Sequence, residues 1–238
     1  MKFQLCIIVP IFNEEANIWR VRDELVKYFK KAKVPTKALL VNDGSTDRSL
    51  DYIKQVCKDH EALDYISFKT NCGLSAAIKA GFDYTTTPLV GYIDADLQTT
   101  PEDFNLLLTE MGDYDLITGL RAERKDSGIK NLSSIIANKI RRSFTNDGMD
   151  DTGCPLKIIK TDVAQSIPFF SGLHRFLPAM VLLQNGRIKQ VPVRHFERMA
   201  GDAKFGLRNR LIGPLIDCFV YSWMKKRYIK YQVNDKSL

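Results

Sequence analysis

In the segment Leu89-Val90-Gly91-Tyr92-Ile93-Asp94-Ala95-Asp96-Leu97-Gln98-Thr99-Thr100-Pro101, a short apolar run breaks off at two carboxylates. Its first part, with β-branched and aromatic residues, has the pattern of a strand buried in a parallel sheet. Gln98 follows Asp96 by two residues, and Thr100-Pro101-Glu102-Asp103 has the composition of a helix start. A capping hydroxyl, a proline at the first position and acids in the first turn all favour it. Two carboxylates and an amide thus fall in the loop beyond a strand's carboxyl end, where open α/β sheets bind ligands. Such oxygen ligands suit Mg2+ or Mn2+, held by one or two carboxylates with substrate phosphates completing the shell. A DxD alone is weak evidence, since a turn capping the next helix has the same composition.

The flanking chain supplies the context. Upstream, Leu5–Val9 (closed by Pro10), Ala38–Val41 and Asp64–Phe68 read as strands. Between them, Ile18, Val21, Leu25, Val26 and Phe29 recur at helical spacing in a segment from Asn13-Glu14-Glu15 to about Ala32. The glycine turn Asn42-Asp43-Gly44-Ser45-Thr46-Asp47 opens a second helix to about His60, with Asp47 as a capping residue. A second glycine turn, Asn71-Cys72-Gly73-Leu74-Ser75, opens the helix Ala76–Tyr84. Downstream of the DxD come a helix over Glu102–Met111 and a strand over Asp115–Thr118. Strand and helix alternate about every 25 to 30 residues, the signature of βαβ units. Parallel strands present their carboxyl ends on one rim, so the loops after Pro10, Asp43 and Asp94 meet there. The first ~120 residues read as a nucleotide-binding half of doubly wound type.

After Gly119 the chain turns basic. Arg121, Arg124 and Lys125 lead into a helix over Leu132–Phe144, then the turn-rich Asp150–Pro155, a strand over Leu156–Ile159, a helix over Arg175–Leu183 and a strand over Ile188–Val193. Gly201–Gly206 is polar and glycine-flanked, a candidate lid over the rim. Leu207–Tyr228 has helical composition, with Gly213-Pro214 expected to break or kink it.

Of 238 residues 45% are hydrophobic, ample for one large domain or two small ones. The five cysteines are scattered, odd in number and without a CxxC pair, which favours reduced thiols in a cytosolic compartment and excludes a zinc site of that type. Pro10 interrupts the N-terminal apolar run, so a first strand is favoured over a signal peptide. No apolar run approaches the ~20 residues that span a bilayer. The net charge is +7, and Arg194–Lys230 holds nine Lys/Arg against Glu197, Asp202 and Asp217. Such a basic end wants nucleic acid, phospholipid headgroups or a phosphorylated substrate.

Taken in order, Val9-Pro10-Ile11-Phe12-Asn13-Glu14, Val41-Asn42-Asp43-Gly44-Ser45-Thr46-Asp47 and Asp94-Ala95-Asp96-Leu97-Gln98 resemble glycosyltransferase family 2. Thr118-Gly119-Leu120-Arg121, Asp151-Thr152-Gly153-Cys154 and Val191-Pro192-Val193 with Arg198 and Gly201-Asp202-Ala203-Lys204 narrow the likeness. They point to its dolichyl-phosphate mannosyltransferase and polyprenyl-phosphate glycosyltransferase branch. The resemblance implies a GT-A fold: a Rossmann-like, mostly parallel sheet flanked by helices. It implies a catalytic domain over 1–206, with a nucleotide-binding half to about 120 and an acceptor half over 121–206, followed by a basic helical tail over 207–238. Pro10, Phe12, Glu14, Val41, Asp43, Asp94, Ala95 and Arg121 would then bind the donor. Asp94, Asp96 and Gln98 would hold Mg2+ or Mn2+. Asp96, Arg198 and Lys204 would serve catalysis. Three positions depart from the pattern: Phe12 for a usual tyrosine, Ala203 for a usual serine and Asn42 for a frequent aspartate.

The activity so implied is metal-dependent, inverting transfer of a sugar from a GDP- or UDP-linked donor to a polyprenyl phosphate. Nucleic acid drops out as a partner. Negative charge growing on the leaving diphosphate calls for a divalent ion and cations. An ionised lipid phosphate needs positioning more than deprotonation. The alternative is a soluble or polysaccharide acceptor, for which the acidic pair and the QxxRW-type motif of polysaccharide-making relatives are missing. A sugar nucleotidyltransferase would need a glycine-rich basic loop after the first strand, and Pro10–Glu14 is not one. His174 and Arg175 are candidates for the acceptor phosphate, or for a structural role. Leu211, Ile212, Leu215, Ile216, Phe219, Val220 and Trp223 fall on one helical face, followed by Lys225, Lys226, Arg227 and Lys230. That face would hold the chain peripherally on the cytoplasmic side of a membrane, receive a small membrane-embedded partner, or pack on the catalytic domain.

Overall fold

The computed structural model describes residues 2–121, 141–196 and 207–229, the last helix by backbone alone at 207–212 and 214. The chain opens with β1 (Leu5–Ile11), α1 (Ile18–Phe29), β2 (Thr36–Asn42), α2 (Ser49–Asp59), β3 (Leu63–Ser67), α3 (Leu74–Tyr84) and β4 (Leu89–Tyr92). A 3-10 turn at Pro101–Asp103 leads into α4 (Phe104–Thr109) and then β5 (Leu116–Arg121). Residues 141–145, α5, are helical. There follow β6 (Lys157–Lys160), α6 (Thr161–Ser166), a 3-10 turn at Leu173–Phe176, α7 (Leu177–Leu183), β7 (Ile188–Val193) and α8 (Leu207–Arg227).

One seven-stranded sheet runs in the order β3-β2-β1-β4-β6-β5-β7. Strands β3, β2, β1 and β4 are parallel neighbours, β5 is parallel to β7, and β6 lies antiparallel between β4 and β5. The period-2 pattern of β1 divides the core. Leu5, Ile7, Val9 and Ile11 pack with Ile18, Val21, Leu25 and Phe104 on one face, and Cys6 and Ile8 with Ile78, Phe82 and Met180 on the other. The chain steps outward from β1 to β2 and β3, then returns to place β4 on the other side of β1. This reversal opens a crevice at the carboxyl ends of β1 and β4, the topological switch point where such sheets bind ligands. The DxD loop emerges there.

The differences from expectation are local. α1 begins at Ile18, because residues 12–17 are drawn across the rim by hydrogen bonds to the loop after β2. The segments Glu102–Met111 and Arg175–Leu183 each begin as 3-10 turns rather than as α-helix. α6 is too brief to leave a periodic trace in the sequence. Of the helix expected over Leu132–Phe144, the described residues 141–145 are helical. Gly201–Gly206, Arg124, Lys125, Arg198 and Lys204 lie outside the described residues.

α8 continues through Gly213-Pro214 unbroken. The proline removes one ladder hydrogen bond, but burial of Cys218 and Tyr221 in the second core fixes the direction of the later turns. Among the described residues no helix is long and apolar enough to cross a membrane.

Candidate active site

The rim is built first by loops that hold each other. Asn13 adopts φ +50, a left-handed conformation that asparagine tolerates. Its amide donates to Ser45 Oγ at 3.0 Å, while its own Oδ1 accepts from the Thr46 amide at 2.8 Å. The Glu14 amide donates to Ser49 Oγ at 2.9 Å, and the Arg48 amide donates to the Glu15 carboxylate at 2.9 Å. Asp47 bridges both loops, accepting from the Ser49 amide at 2.9 Å and the Glu15 amide at 3.2 Å. This is the capping role expected of Asp47, extended to a second element. The carboxylate of Glu14 accepts from Asn17 Nδ2 at 2.7 Å.

Asp43 performs a related task on the other side. It accepts from the Cys72 amide at 2.7 Å, the Gly73 amide at 2.9 Å and Asn71 Nδ2 at 2.9 Å. The residue read as a donor contact therefore also fixes the loop that opens α3. Pro10 lies beside Val41 in the β1–β2 register, and Phe12 is half-buried at the rim. Val41 and Ala95 lie in the core, 0% and 4% exposed, so their side chains offer almost no surface to a ligand. Apolar residues at strand ends read alike in a sequence whether they line a pocket or support it from beneath.

The DxD loop is pinned by its backbone. Arg20 of α1 reaches across to donate to the carbonyls of Asp96 at 3.3 Å and Leu97 at 3.4 Å. The Phe196 amide donates to the Gln98 carbonyl at 2.8 Å. Leu97 sits at φ +49, a conformation uncommon for a branched residue, and its burial at 4% helps to hold it there. Asp96 is 8% exposed and accepts from the Gln98 amide at 3.2 Å. Gln98 therefore enters the loop's bonding through its main chain.

Tyr92, on β4, donates its hydroxyl to Asp94 Oδ1 at 2.5 Å. The Asp94 carboxyl is pushed up to about 6 by burial and by the charge of Asp96, against the opposing pull of Tyr92, Lys157 and Arg121. Among the described residues no group of three or more His, Cys, Asp or Glu side chains forms a metal cage. Two crowded carboxylates without a third fit Mg2+ or Mn2+, which take one or two protein carboxylates and leave room for phosphates. A divalent ion would also offset the burial and the like charge of Asp96 that together raise the Asp94 pKa.

Two outcomes follow. Protons compete for Asp94 below its raised value, so Mn2+ affinity falls by about tenfold per pH unit below about pH 6 and levels off above it. Titrating Mn2+ into the chain with nucleoside diphosphate across pH 5 to 8, followed by electron paramagnetic resonance, measures this. Tyr92→Phe frees Asp94 Oδ1 to rotate, and Mn2+ affinity in the same assay drops by about tenfold, as for other residues that orient a metal ligand.

Sequence reasoning missed Tyr92 and Lys157. Lys157 on β6 pairs in register with Tyr92, is 3% exposed, and lies over the Tyr92 ring with Nζ 5.9 Å from the centroid. Its ammonium donates to the carbonyls of Cys154 and Thr152, and burial lowers its pKa. A lysine in an apolar strand is legible as a buried cation only once its strand is known to stand next to β4. Arg121 is found at the end of β5, held by Asp151 through two bonds of 2.7 and 2.9 Å. The motifs at Arg121 and Asp151–Cys154 thus meet, and the charges of Lys157 and Arg121 both act to lower the Asp94 pKa.

His174 and Arg175 take the structural reading. His174 Nδ1 lies 2.8 Å from Ser75 Oγ, which also accepts from the Gly172 amide at 3.0 Å. Burial and the nearby Arg175 press the His174 pKa down to about 3, so the ring is neutral near pH 7. Arg175 pairs with Asp217 of α8 at 3.4 Å.

The model for glycosyl transferase family 2 matches residues 6–167. Dodecaprenyl-phosphate galacturonate synthase of Rhizobium johnstonii is 32% identical over 236 residues, covering 94% of this chain and 69% of that relative. Undecaprenyl-phosphate 4-deoxy-4-formamido-L-arabinose transferase of Edwardsiella ictaluri is 28% identical over 217 residues, covering 89% of this chain and 66% of that protein. The chain belongs to glycosyl transferase family 2 and spans about two thirds of the length of these curated relatives. Its fold is shared with a solved glucosyl-3-phosphoglycerate synthase of Mycobacterium tuberculosis holding Mn2+, UDP-glucose and phosphoglyceric acid. That likeness has a TM-score of 0.71 at 14% identity, over 96% of this chain and 81% of that one. A mannosyltransferase of Pyrobaculum calidifontis with GDP-mannose and Mn2+ matches with a TM-score of 0.66 at 16% identity, over 98% of this chain and 66% of that one. The architecture is GT-A.

Proposed function

We propose that this chain transfers a sugar from a nucleoside-diphosphate sugar to a polyprenyl phosphate. The observation that carries the reading is the Asp94/Asp96 pair at the β1–β4 switch point, with the charges of Lys157 and Arg121 acting on Asp94. Mg2+ or Mn2+ bound there would neutralise charge on the donor diphosphate as it leaves. The chain's own residues do the rest. Asp94, oriented by Tyr92, and Asp96, on its pinned loop, would hold that ion against the diphosphate end of the donor. Asp43 and the stitched loops of residues 12–17 and 43–49 form the base and ribose side. Arg198 and Lys204 supply further cations to the phosphates.

The acceptor's phosphate oxygen forms the new bond to the anomeric carbon as the bond to the β-phosphate oxygen breaks, and the nucleoside diphosphate departs with the electron pair. The nucleophile is already ionised, so no general base is required, and in-line displacement inverts the centre. Both relatives are named for transfer to a polyprenyl phosphate, which supports this acceptor. The acceptor is a membrane lipid, so the rim works against the cytoplasmic face of a bilayer.

A panel of UDP- and GDP-sugars with Mn2+ or Mg2+ tests the reading, offered a short polyprenyl phosphate, the matching prenol, or a soluble phosphorylated acid. Lipid-linked sugar should form with the prenyl phosphate, and only with metal. Transfer solely to the prenol or to the soluble acid would refute it.

A further inference from the structure

α8 has two apolar faces, not the single one expected. Cys218 and Tyr221 are 2% exposed. The Tyr221 ring stacks on Phe176 with centroids 5.5 Å apart, and Met224 and Tyr228 complete the inward side. The residues expected to form the apolar face point the other way: Ile216 is 57% exposed and Trp223 63%, with Leu215 and Val220 beside them, while Phe219, 65% exposed, meets the Phe144 ring of α5 edge-on with centroids 5.3 Å apart. Packing on the catalytic body thus uses a different face, and the stripe of Ile216, Phe219, Val220 and Trp223 is left outward at three- and four-residue steps. Lys226 and Arg227 follow Trp223 by three and four residues, so the same stripe ends in two cations, with exposed Lys225 alongside. The Arg227 guanidinium lies 5.7 Å from the Trp223 ring centroid.

The inward face also fixes where this stripe sits. Asp217 packs on Gly172, where a Cβ would lie 2.2 Å from the Asp217 carboxylate, and it pairs with Arg175. Gly172 in turn donates to Ser75, in the first turn of α3. That turn follows directly on the loop of residues 71–73 held by Asp43. α8 is therefore seated beside the rim that holds the donor site.

We propose that the outward face of α8 docks on an anionic bilayer and sets the catalytic rim against the headgroups. An exposed aliphatic and aromatic stripe that closes in Lys and Arg matches the acyl and headgroup layers of such a surface, and each basic residue adds attraction to anionic lipid. The partner rests on the lipid acceptor proposed above, but the docking is measured without any acceptor.

The full chain is mixed with vesicles of phosphatidylcholine, with or without phosphatidylglycerol, and floated on a gradient. Wild type should float with the anionic vesicles, be released by salt, and bind neutral ones about tenfold less. Ile216→Ser/Trp223→Ser and Lys226→Gln/Arg227→Gln should each weaken binding to anionic vesicles by about tenfold. Both should keep the wild-type melting temperature and the wild-type rate on a water-soluble short-chain prenyl phosphate. Failure of wild type to float, or equal flotation of all three proteins, would overturn the proposal. So would a wild-type dimer, seen by light scattering, that the apolar pair of substitutions dissociates, since the stripe would then be a contact between copies. Loss of transfer to the soluble acceptor in wild type would instead strike the acceptor reading and leave the docking result intact.

Discussion

Asp96→Ala lowers sugar transfer by about a thousandfold, while the chain folds with little change in melting temperature. The two halves of this expectation have separate causes. The Asp96 carboxylate is one of only two acids in the DxD loop, so its loss removes half the charge that could hold a divalent ion and diphosphate there. The loop survives because its backbone is held independently: Arg20 binds the Asp96 and Leu97 carbonyls, and the Phe196 amide binds that of Gln98. Alanine forfeits the bond from the Gln98 amide, worth about 1 kcal/mol. It also relieves Asp94 of a like charge that raises its pKa, and the two effects oppose each other. Transfer rate, Mn2+ binding in the presence of nucleoside diphosphate, and thermal unfolding measure all three. A folded Asp96→Ala protein with wild-type rate and metal affinity would contradict the assignment.

Gly44→Ala acts through the backbone and has the largest expected effect on stability. Gly44 adopts φ +63, and a Cβ there would lie 2.3 Å from the Thr70 carbonyl carbon and 2.5 Å from the Asn71 nitrogen. Both contacts are main chain, so no side chain can swing aside. Strain of this kind costs about 3 kcal/mol, which for a chain of this size lowers the melting temperature by about 10 °C. The displacement falls on residues 70–73, where Asp43 holds two amides and the Asn71 side chain. Nucleotide binding should therefore weaken along with stability. Calorimetric unfolding and titration with UDP and GDP check both. A Gly44→Ala protein as stable as wild type would show that this approach of two loops is looser than described.

The sequence made the sheet legible wherever the signal was local. Apolar runs ending in Pro10, Asn42 and Asp94 located β1, β2 and β4, and the alternation of strand with helix announced their parallel pairing. β6, antiparallel to both β4 and β5, left no such sign, because direction depends on which neighbours a strand finds rather than on its residues. Lys157 was missed for that reason, and so was the meaning of Tyr92, whose neighbour across the ladder is Lys157. Polar motifs located the rim, but not which bonds its residues keep for themselves. Asp43 spends its carboxylate on the Asn71-Cys72-Gly73 turn and Arg121 is clasped by Asp151, pairings that join residues 28 to 30 positions apart. Spacing locates a strand's end without showing which side is covered, so the burial of the Val41 and Ala95 side chains was not legible. In α8 the periodicity identified an apolar face correctly and left its direction open. The stacking of Tyr221 on Phe176 decided it.

The bond made in the product tests the central claim most directly. Purified chain, donor sugar, Mn2+ and a short polyprenyl phosphate are incubated, and the lipid product is examined by phosphorus and proton magnetic resonance. The account predicts a phosphodiester signal coupled to the anomeric proton, with the anomeric configuration opposite to that of the donor. A product in which the acceptor phosphate remains a monoester, or in which the donor's configuration is retained, would contradict it.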